Sequence, residues 1–228
     1  MTTTLSPPTD APAEARPQHW GLLALRLPDA IPLTDELLEQ LCQLNPEWRL
    51  ERGHFGELVV NMGSGGPSFM IVSEIFAALF GWSKAVRGYG FGADASFNVV
   101  DPRGGTPMRN PDISWVSPEQ MESMGGFPPL RGFWPICPAF VVEVRSPGDS
   151  LAHQQGRMAD WLRFGAQLGW LVDPDHRDVW IYRPDQEPEQ RHRPSVVDGE
   201  TPIDEFSMDF TPIWELMDGA EAAAANAE

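Results

Sequence analysis

Cysteine is scarce in this chain. Only Cys42 and Cys137 occur among 228 residues, which excludes a disulfide framework, and no CxxC pair is present to hold zinc. Two buried free thiols in a reducing cytosol are the plain reading. Basic residues are also few: 16 Lys and Arg stand against 33 Asp and Glu, a formal net charge of −17. Such a balance gives no bulk attraction to nucleic acid or anionic membrane, though it leaves room for a local basic patch. No run of about 18 apolar residues stands out, so no membrane span is expected. The opening MTTTLSPPTDAPAEARPQ has neither the basic nor the apolar region of a signal peptide, so a cytoplasmic location is expected. No Gly-x-Ser-x-Gly elbow supports a serine hydrolase.

What is present is a globular composition, 42% hydrophobic, punctuated by 23 prolines and 21 glycines. Residues 1–18 are rich in Thr, Pro and Ala and read as disordered. Residues 19–217 read as one folded domain, and 218–228 as an acidic, alanine-rich tail that frays or extends a terminal helix. Thr34 is a good N-cap for a helix to Leu44, with Asp35 and Glu36 in its positive first turn and Asn45-Pro46 as its stop. Trp48–Glu51 and Glu57–Met62 read as two short strands. Ile71, Ile75, Leu79 and Trp82 recur at helical spacing, which predicts a core helix over Phe69–Trp82. Strands follow within Tyr89–Val100 and at Asp112–Val116, then a short helix from Ser117-Pro118-Glu119 and a Pro/Gly loop over Gly125–Pro138. A strand is expected at Phe140–Val144, a helix from an Ser150 N-cap to about Phe164, and a strand pair Trp170–Asp173 and Val179–Tyr182. This order indicates a mixed α/β (α+β) fold, a sheet core flanked by helices.

One stretch, FVVEVRSPGDSLAHQQGRMADW from Phe140 to Trp161, places a carboxylate inside an apolar strand. Alternation puts Phe140, Val142 and Val144 on one face and Val141, Glu143 and Arg145 on the other. Glu143 either points to solvent or is held inside by a partner, since an unpaired buried carboxylate costs several kcal/mol. Asp112 opens a neighbouring strand. Two carboxylates on adjacent strands can converge, and a hard divalent ion with oxygen ligands relieves their repulsion. The Val144 carbonyl is a further candidate ligand.

The runs RNPDISWVS, FPPLRGFWPICPAFVVEVRSPGDSL, MADWLRFGAQLGWLVDP and VWIYRP, with LERGHFGELVVNMGSGG upstream, resemble the Uma-two family of bacterial restriction-endonuclease-like proteins, which is similar to the PD-(D/E)XK nucleases. The likeness spans roughly residues 30–185. It implies a Mg²⁺- or Mn²⁺-dependent endonuclease acting on DNA, as a homodimer, with Asp112 and Glu143 as metal-binding carboxylates. The superfamily's lysine position after the glutamate is Arg145 here. The family's helix lysine corresponds to Arg157, which stays protonated and can clamp a phosphate or offset developing charge but cannot relay a proton. Arg145 and Arg157 are therefore the candidate substrate-binding cations. Glu74, with Glu57 as alternative, is the candidate for a third acidic ligand. A catalytically weakened member serving as a binding or regulatory module is the second reading, and an acidic protein-interaction domain the third.

Other motifs carry less. Gly63-Ser64-Gly65-Gly66 lacks the Lys-Ser/Thr of a phosphate-binding loop. The five histidines show no metal spacing, although His153 lies one turn before Arg157. Trp82, Trp115, Trp161, Trp170 and Trp180 fall at core positions. Ser146 is assigned to the turn after Glu143. Arg87, Arg103, Arg109 and Arg131, with Arg145, are candidates for the wall of a nucleic-acid cleft.

Overall fold

The computed structural model describes residues 23–61, 67–86, 88–92, 95–126 and 132–225. The readings placed on residues 1–18, His19, Gly63–Gly66, Arg87 and Arg131 lie outside them. The chain begins with β1 (Leu23–Leu25), α1 (Asp35–Leu44), β2 (Arg49–Arg52), β3 (Leu58–Asn61) and α2 (Pro67–Val86). Short strands β4 (Tyr89–Phe91), β5 (Phe97–Asn98) and β6 (Met108–Arg109) lead to β7 (Ile113–Val116) and α3 (Pro118–Ser123). The centre is β8 (Phe140–Val144), α4 (Leu151–Phe164), β9 (Leu168–Asp173) and β10 (Asp178–Tyr182). The chain closes with β11 (Glu189–His192), β12 (Val196–Asp198), β13 (Ser207–Asp209) and α5 (Thr211–Ala225).

The helix starts follow their caps. Thr34 accepts from the Leu37 N–H, Ser117 and Gln120 form a reciprocal capping box, and Ser150 accepts from the His153 N–H. Gly165 ends α4 with a φ of 115°, a left-handed conformation that glycine adopts without strain.

A six-stranded sheet in the order β11-β10-β9-β8-β7-β4 carries the core. Among the described strands of this sheet only β8 and β9 pair in parallel, and α4 is the crossover that a parallel neighbour requires. Both central strands are buried along their whole length, the mark of a sheet covered on both faces. On one face Phe140, Val142, Val144, Leu168, Trp170 and Val172 pack with α2 and α5. On the other, Val141 and Leu171 meet Met158, Trp161 and Phe164 of α4. A second sheet, β1-β3-β2-β6-β5, packs Leu50 and Met108 against Leu38 of α1.

Two readings change. Helix α2 is longer than expected, and Ser68–Val86 is apolar and long enough to cross a membrane by length and composition, with mean hydropathy 1.5; here its Ile71, Val72, Ile75 and Leu79 stripe packs on the sheet. The chain beyond Tyr182 adds three strands that were not anticipated. Past residue 217 the tail extends a terminal helix, α5, as far as Ala225, and Arg177 pairs with Asp218 and Glu221 on it.

Candidate active site

The site forms where the two sheets meet. In β8, alternation turns Glu143 away from the Phe140 face and toward α4. There its Oε1 accepts from Trp161 Nε1 at 2.7 Å and Arg157 Nη2 at 3.1 Å. With these partners Glu143 is only 3% exposed. Continuing the β7–β8 register Ile113↔Val142 by one residue sets Asp112 opposite Glu143. Asp112 Oδ2 accepts from the Val144 N–H at 2.9 Å, and its Oδ1 lies 3.1 Å from Arg49 Nη1. Val144 thus meets Asp112 through its backbone N–H.

The third carboxylate is Glu51, from the other sheet. It is 2% exposed. Its two oxygens receive Arg157 Nη1 and Nη2 at 3.1 and 3.2 Å, and Oε1 also accepts from the Asn110 N–H at 3.0 Å. Arg157 further donates to the Asn110 carbonyl at 3.1 Å, and Arg109 Nη1 stands 4.0 Å from Glu51. One guanidinium therefore joins carboxylates from two sheets.

The electrostatics separate the two glutamates. Burial pushes the Glu143 carboxyl up, and Asp112 and Glu51 add to the rise against the pull of Arg157 and Trp161, giving a pKa of about 7. Burial also works against the Glu51 charge, but Arg157 and Arg109 outweigh it and hold its pKa down at about 2. Burial disfavours the Arg157 charge too, yet Glu143 and Glu51 keep that guanidinium protonated.

These groups line a cleft of about 900 Å³ with Arg49, Asn110, Ser146, Asp149, His153 and Gln154. Of the anticipated residues, Asp112, Glu143, Val144, Arg157 and His153 meet there. Glu74 does not: it is exposed on α2, because the core stripe of that helix leaves position 74 on the outer face. Glu57 is buried elsewhere and accepts from the Phe55 N–H at 2.9 Å, closing the turn between β2 and β3. Arg145 is not on the cleft either. Its guanidinium binds Asp173 at 2.8 Å, Asp175 and the Asp149 carbonyl, so it fastens the ends of β8 and β9. Arg103 is paired with Asp101. The turn after Glu143 is fixed by Asp149, whose Oδ2 accepts from the Ser146 N–H and Gln154 Nε2, not by the Ser146 hydroxyl.

Glu51 and Arg49 were missed. Their signal is the alternation Arg49-Leu50-Glu51-Arg52, which puts an opposite-charge pair on one face of β2 with Leu50 on the other. Trp161, expected in the core, is there and also donates to Glu143.

A family model described as "Putative restriction endonuclease", Uma2, matches residues 35–211. The chain belongs to the Uma2 family. No curated protein matches it. Among solved structures it is similar to a "putative nuclease belonging to DUF820" from Anabaena variabilis ATCC 29413, with 23% identity and a TM-score of 0.62 over 74% of this chain and 90% of that one. At that identity the likeness speaks for the fold, and this Uma2 chain has the nuclease-type fold.

Proposed function

We propose that this chain is a divalent-metal-dependent endonuclease that hydrolyses phosphodiester bonds of DNA, with Mg²⁺ or Mn²⁺ held by Asp112 and Glu143. The observation that carries the reading is the convergence of Asp112 and Glu143 from adjacent strands on a cleft, backed by a bound guanidinium, in a Uma2 chain. The donors offered to a hard ion are oxygens: the Asp112 and Glu143 carboxylates, and the side-chain oxygen of Asn110, which is buried and has no hydrogen-bond donor. Among the described residues no group of three or more His, Cys, Asp or Glu is arranged to hold an ion. In their place Arg157 supplies the positive charge between Glu51 and Glu143.

When bound, the ion would supply a Lewis acid and an activated water for phosphodiester hydrolysis. The chain's own residues do the rest. Asp112 is fixed by the Val144 N–H and Arg49, so its carboxylate is preset. Glu143 is aimed by Trp161, and its raised pKa suits a group that exchanges a proton near neutrality. Arg157 offsets negative charge without relaying a proton. The chain's single lysine, Lys84, sits over the Phe80 ring of α2, so the lysine role is not met from another position. Action in the cytoplasm and as a homodimer belongs to the same proposal.

The test is cleavage of supercoiled plasmid and single-stranded DNA with Mg²⁺ or Mn²⁺. Wild type is expected to cleave, Glu143→Gln to be inactive, and Asp112→Asn to lose divalent-ion binding. The engagement of Arg157 by both glutamates favours one second reading, a weakened enzyme serving as a binding module. No metal-dependent cleavage above Glu143→Gln would establish that reading, and Arg157→Lys would then be the variant to assay for gain of activity.

A further inference from the structure

The metal-site chemistry uses only one end of the cleft. Past Arg49 the wall turns apolar, with Leu23, Leu41, Leu58 and Val60. Trp48 stands among them 42% exposed and belongs to none of the three core clusters. Trp115, Trp161, Trp170 and Trp214 are buried. A large aromatic face left in water on a concave wall invites a flat apolar partner.

Three observations say which partner. Trp48 is joined to Arg49, whose guanidinium holds Asp112, so a group stacked on the indole lies beside the reacting end. The cleft of about 900 Å³ is of the size of small-ligand sites, room for one or two nucleotides rather than a length of duplex. The two arginines that line the cleft, Arg49 and Arg157, are each set against carboxylates, in a chain of net charge −17. They do not form the continuous basic track that duplex phosphates demand. Stacking needs no such track, since every base has a π-face.

We infer that the apolar end of the cleft is a nucleobase subsite with Trp48 as its stacking platform, and that the substrate class is single-stranded or locally unpaired DNA. The inference rests on the nuclease reading and sharpens it.

The test measures binding apart from cleavage. A short fluorescein-labelled DNA single strand and its blunt duplex are titrated with the full chain in Ca²⁺, by fluorescence anisotropy, for wild type, Trp48→Ala and Trp48→Phe. The single strand is expected to bind more tightly than the duplex. Trp48→Ala should weaken single-strand binding on the order of tenfold, with Trp48→Phe retaining it, as a stacked base requires. Equal or tighter duplex binding, no effect of Trp48→Ala, or no binding of either DNA overturns the subsite. So does a change in mass by light scattering in Trp48→Ala with binding unchanged, which would make the patch an interface between copies. Cleavage with Mg²⁺ is scored separately. Trp48-dependent binding without cleavage keeps the subsite and removes the nuclease. Cleavage without Trp48 dependence does the reverse.

Discussion

Glu51 and Glu143 share one guanidinium yet titrate in opposite directions, and this gives each a separate pH window. The Glu143 pKa is raised from 4.5 to about 7. Between those values the native state holds a proton that the unfolded chain releases, so stability falls as pH rises through the window. A shift of that size corresponds to a few kcal/mol, on the order of 1.4 kcal/mol per unit. The Glu51 pKa is lowered from 4.5 to about 2, so its contribution is present above pH 4.5 and is lost as pH falls toward 2. Urea unfolding in EDTA should therefore show the midpoint dropping from pH 5 to pH 7.5 in wild type. In Glu143→Gln that drop should be largely gone, while the acid loss below pH 4.5 remains. An unchanged slope in Glu143→Gln would remove Glu143 as its source. Under the nuclease reading, a divalent ion favours the ionised form, so adding Mg²⁺ near pH 6 should release protons and flatten the same slope.

At the scale of elements, α4 and β8 carry the site, and the two ends of β8 are held differently. Its far end is fixed by Arg145, bound to Asp173, a fully buried carboxylate on β9. Arg145→Ala leaves Asp173 buried with only His176 beside it and should lower stability by about 3 kcal/mol or more. Arg145→Lys, which cannot span Asp173 and Asp175 with a planar fork, should recover only part. Chemical denaturation measures both, and a loss near zero would deny Arg145 its fastening role. This is also where sequence and structure part company. The caps at Thr34, Ser117 and Ser150 and the helical spacing of α2 are local signals, and the helices follow them. The inward aim of Glu143 was legible from strand alternation and from resemblance. Arg145 shared that alternation, yet it lies just past the strand end, where Asp173 at the end of β9 and Asp175 in the turn after it capture it from many residues away. Glu51 was hidden because its partner Arg157 is distant in sequence. Glu74 looked eligible because a helix period cannot tell which flank of the apolar stripe faces a neighbouring sheet. Strand β11, Glu-Gln-Arg-His, has no apolar alternation at all; it exists because β10 offers it an edge.

At the scale of the whole molecule, charge limits how DNA can be held. With net charge −17, far-field attraction is unfavourable, and favourable contacts must be made at short range in the cleft. Its arginines are Arg49 and Arg157, and each must exchange a carboxylate partner to meet a phosphate. The arginines elsewhere are largely tied to carboxylates, as in the Asp101 node that joins Arg103 and Arg163 and the Arg183 node with Glu189 and Glu200. Such nodes steady the surface but leave few cations for a backbone track. Counterion release scales with the number of phosphates neutralised, with a slope of about −0.7 per contact for single strands. Two cleft arginines then set a slope of log K against log salt no steeper than about −1.4. Anisotropy titrations at fixed Ca²⁺ and varied NaCl read this directly. A slope steeper than about −5, the signature of seven or more phosphate contacts, would mean that DNA follows a basic surface outside the cleft, and the site would then be fed by a duplex lying across the molecule. A shallow slope together with retained affinity would place the binding free energy in stacking and short-range contacts, as a chain with this charge and this cleft requires.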